Sequence, residues 1–341
     1  MLFLSSCTVN PVTLKREFNV INEEREIRLG RNASAAVPRE FGGVYEDAAL
    51  QRYVNEVGQD LVSVSERDYL QFTFQVVDSP ILNAFALPGG YIYITRGLLA
   101  ELENEAQLAA VLGHEVGHVC ARHSVVQLSE ALGYQVLTLA AIAAGPNAGE
   151  MVAVASTLSQ TMMAGYSRER ESQADGMGLT YMYRAGYDPL EMSDFLNHLS
   201  KRVQGPAGYS VYNASHPDIF ERIRETRSNA KLMLSLDIAH AKLNQNGSSE
   251  VGTVTKEEVL KNEGKANEEQ YASHLDGLLY GPPQNPRRIH IYTVKERGET
   301  INSIAEKTLG DKNRAEEIAE LNDLEADAQL SPGKKLKVVY Q

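Results

Sequence analysis

His114-Glu115-Val116-Gly117-His118 sets two imidazoles four residues apart, a spacing that puts both on one face only if the chain there is helical. The flanking residues agree. Asn104, followed three residues later by Gln107, is an N-cap signal, and Leu108, Val111, Leu112, Val116 and Val119 then recur as a buried stripe. His114 and His118 flank that stripe, so the helix is at least half buried where they fall. Both can aim a ring nitrogen at one Zn²⁺, with Glu115 as a general base beside them. Two ordinary helix histidines would give the same pentapeptide. Gly117 argues against that reading, because glycine in mid-helix costs about 1 kcal/mol relative to alanine. The residue makes sense where a second backbone passes close.

Two histidines do not complete a site, since a catalytic zinc takes three protein ligands and an open position. Tyr166 to Asp175 reads as the start of another helix, with Ser167 as N-cap, closing at Gly186 with Pro189 beyond. Glu171 and Asp175 again share a face four residues apart. One carboxylate can ligate the metal while the other fixes a ligand histidine by hydrogen bond. Arg168 and Arg170 beside them equally suit a solvated charged face.

Taken together, these segments resemble the gluzincin peptidases of the HtpX and CAAX-prenyl-protease type, marked by His-Glu-x-x-His and, on a later helix, Glu-x-x-x-Asp. The likeness continues upstream through Asn83-Ala84-Phe85-Ala86-Leu87-Pro88-Gly89-Gly90-Tyr91-Ile92-Tyr93-Ile94 and Gly97-Leu98-Leu99. Downstream it takes in Ser215-His216-Pro217 and Arg222, covering roughly residues 40–230. Within the family it is strongest to the soluble periplasmic lipoprotein branch.

The resemblance implies an α+β fold: a mainly helical, zincin-like metallopeptidase domain with a small β-sheet. His114, His118 and Glu171 would ligate zinc, Glu115 would be the base and Asp175 the orienting carboxylate. His216 would lie across the cleft and either donate to the oxyanion of the tetrahedral intermediate or occupy the open zinc position and hold the enzyme latent. Arg222 would pair with a carboxylate nearby. Asn83, Ala84, Phe85, Gly89 and Gly90 belong to the strand and turn that would pair with an extended substrate through main-chain hydrogen bonds.

The net charge of −12, with no basic run, argues against nucleic acid as a partner. Two cysteines are too few for a disulfide framework. Cys120 falls on the zinc helix and reads as a small buried apolar residue. Leu4-Ser5-Ser6-Cys7 resembles a bacterial lipobox, so residues 1–31 are expected to be a signal remnant and tether acylated at Cys7. Thr8 behind it favours the outer membrane. Contact with the membrane would then be by lipid anchor only. The apolar runs 131–144 and 151–165 are each shorter than the roughly 20 residues a span requires, and read as an amphipathic hairpin.

The metallopeptidase domain with a helical extension is expected over 32–281. It includes a helix over 44–62, a strand over 71–77, a proline-started helix from Asp188 to Lys201, a lid-like loop over 202–213 and a long helix over 219–243. Short helices are expected over 256–262 and 268–280. After a linker at 282–287, residues 288–341 show a βααβ order that resembles a LysM domain, with Tyr292-Thr293-Val294 and Leu330-Ser331-Pro332-Gly333 at the expected places. Such modules bind N-acetylglucosamine polymers such as peptidoglycan. Glu299 stands where aspartate is usual and stacking aromatics are few, so a docking or spacer role stands beside glycan binding.

The expectation is a zinc-dependent endopeptidase of the bacterial periplasm, acting on unfolded or misassembled cell-envelope proteins. The rival from another class is a peptidoglycan-anchored chaperone or assembly factor with a latent zinc site.

Overall fold

A computed structural model describes residues 7–10, 16–19, 21–133, 165–201, 214–246, 264–325 and 327–340. Strands β1 (Cys7–Val9) and β2 (Arg16–Phe18) pair antiparallel and lead into α1 (Glu23–Ser34) and α2 (Val37–Glu40). From sequence, this stretch up to Arg31 is expected to be a tether. The chain instead folds α1 onto the body of the protein. The Asn22 side chain caps it by accepting from the Arg25 N–H, and Glu26 is buried in an ion pair with Arg67 and Arg122. Its charged composition hid this, because the partners come from far along the chain.

Helix α3 (Ala48–Val62) starts at Asp47, whose carboxylate accepts from the N–H groups of Ala49 and Leu50. A three-stranded sheet follows, from β3 (Thr73–Val77), β4 (Ala84–Leu87) and β5 (Tyr91–Thr95), in the order β3-β5-β4. β5 runs parallel to β3 and antiparallel to β4, so β5 is central and β4 is an edge. Gly89 (φ +77°) and Gly90 (φ +96°) make the β4–β5 turn. A Cβ at Gly89 would lie 2.8 Å from Cα of Ile27, and one at Gly90 3.1 Å from the Gln71 carbonyl oxygen. The turn is therefore walled in by α1 and by the entry to β3.

Next come α4 (Arg96–Glu101), α5 (Glu105–Cys120) and α6 (His123–Gly133), then α7 (Arg168–Arg184), α8 (Leu190–Lys201) and α9 (Ile219–Asn246). Every residue of α5 is buried, Cys120 among them. α5 and α7 cross closely because both carry glycine at the contact. A Cβ at Gly117 would meet the Ala174 carbonyl oxygen at 3.0 Å, and one at Gly178 would meet the His114 nitrogen at 2.8 Å. This is the second backbone that Gly117 called for.

Helix α10 (Glu268–Leu275) ends earlier than the sequence suggests. Asp276 and Gly277 (φ +89°) turn the chain into β6 (Leu279–Tyr280), which pairs with β7 (Arg287–Thr293). α11 (Ile301–Leu309), α12 (Ala315–Leu321) and β8 (Lys335–Tyr340) complete the βααβ order. This unit is docked rather than strung on a linker. Ile289, Leu321 and Val339 join the main hydrophobic core, and the buried Lys337 ammonium donates to the carbonyls of Ala100 (2.8 Å) and Leu102 (3.1 Å) at the end of α4. The amphipathic hairpin, the lid-like loop and the helix over 256–262 lie outside the described residues. Among those described, no helix is long and apolar enough to cross a membrane.

Candidate metal centre and active site

α5 and α7 cross at Gly113 and Gly117, beside the two histidines, with the Ala174 contact one turn from Glu171. Glycine at the crossing brings the helices near enough for side chains of both to meet. His114 Nε2 and His118 Nε2 lie 2.9 Å apart, and the Glu171 carboxylate is 3.5 Å from the first and 3.4 Å from the second. His216 joins them, with Nδ1 3.3 Å from His114 Nε2 and 3.2 Å from Glu171 Oε2. All four side chains are buried, and their donor atoms lie within 4.8 Å of one another.

Each ligand candidate is held from behind. Nδ1–H of His114 donates to Asp175 at 2.8 Å, which leaves the Nε2 lone pair facing the cluster. Arg222 grips Asp175 with two bonds of 2.7 and 2.8 Å and reaches Glu171 at 3.1 Å. His118 is fixed by a partner that the sequence reading missed. His123 Nε2–H donates to Gln173 Oε1 (3.1 Å), so its Nδ1 accepts from His118 Nδ1–H (2.8 Å). The Tyr166 ring stacks on His118 at 4.1 Å, and its hydroxyl meets Ser124 at 2.9 Å. A third histidine within ten residues was the available signal for this relay, but its partner Gln173 is on another helix.

The electrostatics separate the roles. Burial, with His114 next to it, drives His118 well below the ordinary histidine range, so it is neutral and keeps its lone pair. Burial works against the Glu171 charge, yet His216, Arg222 and His114 outweigh it and hold this carboxyl well below the usual range. Asp175 lies at about 2, where Arg222 outweighs desolvation. Glu115 is pushed up, chiefly by burial, which is the direction a general base needs.

The residues fit a zinc ion. Two imidazoles and one carboxylate are a His₂Glu set, and donors ~2.0–2.2 Å from one ion must sit about 3–3.6 Å from each other. Edge strand β4 runs alongside. The Thr95 N–H donates to the Asn83 carbonyl, so alternation turns Ala84 and Ala86 outward. His216 Nε2 lies 3.3 Å from the Ala84 carbonyl oxygen and 3.7 Å from Glu115. Asn83, Phe85, Ala86 and Leu87 line a cavity beside Glu115 and His216. Gly89 and Gly90 do not line it; the turn and its packing account for them.

Residues 48–230, more than half of the chain, match the family described as Peptidase family M48. The chain belongs to it. Residues 292–339 of this M48 family member match the LysM domain. It is 30% identical over 200 residues to the beta-barrel assembly-enhancing protease of Escherichia coli K12, covering 55% of this chain and 40% of that protein. It is also 30% identical over 220 residues to the mitochondrial metalloendopeptidase OMA1 of Schizosaccharomyces pombe, covering 63% of this chain and 64% of the relative. The M48 chain thus spans between two fifths and two thirds of the length of these relatives. The gluzincin likeness and the mainly helical α+β class both hold.

Proposed function

We propose that the chain is a zinc-dependent endopeptidase acting on unfolded or misassembled cell-envelope proteins. The single observation that carries this is the convergence of His114, His118 and Glu171, from two helices, with Glu115 beside them. Zinc bound there would polarise a scissile carbonyl and acidify water. Glu115 would accept the proton from that water and deliver it to the leaving amine. Asp175 and Arg222 would keep His114 and Glu171 oriented, and His123 would do so for His118. The outer edge of β4, where the Ala84 and Ala86 carbonyls now face His216 and the Ser124 hydroxyl, would add an extended substrate as a further strand once His216 has moved.

His216 gives this reading a resting state. Catalytic zinc keeps a position open, and His216 Nδ1 stands where a fourth donor would. Its other nitrogen is near the Ala84 carbonyl, one of the groups a substrate strand would need. In our reading the resting chain is latent, and the histidine must leave before a peptide enters.

We place this activity in the bacterial periplasm. The relative from Escherichia coli is named for β-barrel assembly, and the LysM match supports contact with peptidoglycan. Acylation at Cys7 would supply an outer-membrane anchor. As domains we propose 32–281 for catalysis and 288–341 for glycan contact or docking, with α1 serving the first.

Metal analysis of the purified chain should find one zinc per molecule. Denatured casein should be cut by the His216→Ala chain, and a chelator should stop it. Adding Glu115→Gln to that variant should leave zinc in place and slow cleavage by about 10²–10⁴-fold. Undiminished turnover would refute the mechanism. The chaperone reading predicts suppression of aggregation with no cleavage by any of these chains.

A further inference from the structure

A cavity of about 290 Å³ opens between the edge strand and a segment that the family match does not include. Its walls are Val37, Phe41, Ile81, Phe85, Leu87 and Tyr166. Glu115 and His216 form the catalytic end, and the exposed Glu40 also lines it. Phe41 stacks with Phe85 at 4.8 Å between ring centroids, and Phe85 with Tyr93 at 5.2 Å, so the aromatic wall is braced. Asn83 is buried against the cavity, and its amide nitrogen has no hydrogen-bond partner among the described residues. A buried donor of this kind is costly unless something accepts from it.

We infer that this cavity is a substrate subsite for one large apolar side chain next to the scissile bond, with Val37 and Phe41 as specificity-determining residues. The inference rests on the peptidase reading above. The volume lies just under the ~300–1,000 Å³ of small-molecule sites, which suits one side chain of a longer peptide. The lining is apolar, so an aromatic or branched aliphatic side chain gains by leaving water. A lysine would gain little from Glu40, whose charge is solvated. Asn83 gives the peptide next to that side chain a hydrogen bond, donating from its amide to a backbone carbonyl. A pocket reached from the β4 edge gives a strand-adding site a preference that main-chain pairing alone lacks.

The chain has no tryptophan, so Phe41→Trp places a single tryptophan, excited apart from the tyrosines, in the wall. Titrating this variant, zinc-loaded and carrying His216→Ala to open the site and Glu115→Gln to prevent turnover, with capped tetrapeptides should shift its emission, with binding at least about tenfold tighter for a central Phe or Leu than for Ala or Lys. Cleavage sites in denatured casein should be enriched in large apolar residues on one side of the cut bond, for wild type or for His216→Ala. Phe41→Ala should reduce the Phe-over-Ala ratio of kcat/KM at least about tenfold, and Phe41→Leu should restore most of it. Equal affinity for Phe and Ala peptides, a Lys preference, or cleavage without apolar enrichment would each overturn the subsite while sparing the peptidase reading. Apolar-selective binding without cleavage by any chain would instead support the subsite and sink the peptidase reading.

Discussion

Asp175 lies 2.8 Å from Nδ1 of His114, and this contact decides which nitrogen of His114 faces the other donors. Replacing the carboxylate with a methyl frees the ring to rotate and change tautomer. Loss of such a partner typically weakens a metal site 10–100-fold. Asp175→Ala should therefore lower zinc affinity by about 10–100-fold in a chelator-competition titration, with helical circular dichroism preserved. Asp175→Asn should lose less, because its amide oxygen can still accept from Nδ1–H. An unchanged affinity in the alanine variant would show that Asp175 serves only Arg222.

Much of this centre was readable before any coordinates. The four-residue spacings of His114 with His118 and Glu171 with Asp175 depend only on helix geometry, and Gly117 announced a close crossing. What stayed hidden depends on pairs remote in sequence. Glu26 falls in the stretch expected to be a tether, because its partners Arg67 and Arg122 are separated from it by 41 and 96 positions. Gln173 gave no sign that it would hold His123. β6 has two residues, too few for any alternation to register, so from sequence the helix over 268–280 runs on through Leu279 and Tyr280.

The α5–α7 crossing separates two glycines only two residues apart. A methyl at Gly178 would lie 2.8 Å from the backbone nitrogen of His114, whereas one at Gly176 meets nothing within 4 Å. Gly178→Ala should destabilise by about 1–3 kcal/mol through overpacking, despite its better helix propensity. It should also weaken zinc binding, since it pushes Glu171 away from the histidines. Gly176→Ala should stabilise by about 0.4–1 kcal/mol, through lower entropy of the unfolded chain. Urea unfolding of both variants checks this, and similar signs for the two would contradict the packing argument.

The docking of the C-terminal unit should depend on pH. His198 Nε2 lies 3.2 Å from Glu101, and Nδ1 lies 3.5 Å from Asp323, which also pairs with Lys201 at 2.7 Å. Burial opposes its charge, but the adjoining carboxylates of Asp323 and Glu101 outweigh that and raise its pKa above the ordinary histidine value. A group raised on folding contributes its full stability below its unfolded pKa of about 6.5, and loses it as pH climbs through the higher folded value. The melting temperature should therefore fall as pH rises from 6 to 9 by more in wild type than in His198→Gln. Parallel curves for the two chains would place the charge elsewhere.

His216 lies 3.3 Å from His114 through one nitrogen and 3.3 Å from the Ala84 carbonyl through the other, so a single ring spans both the metal cluster and the strand edge. In the proposed latent state, a peptide would have to displace it twice over, from the fourth donor position and from the main-chain acceptor. If the displaced form is a minor state of about 0.1–10%, activity is reduced to that fraction of the open chain's. His216→Ala removes the tax and should raise kcat/KM on an unfolded substrate by about 10-fold or more, with zinc still held by His114, His118 and Glu171. Were His216 instead a donor to the developing oxyanion, the same substitution would cost about 10²–10³-fold in kcat. The two roles thus predict opposite signs. A fall in turnover, with zinc content unchanged, would remove latency from the account and leave His216 as part of the catalytic machinery.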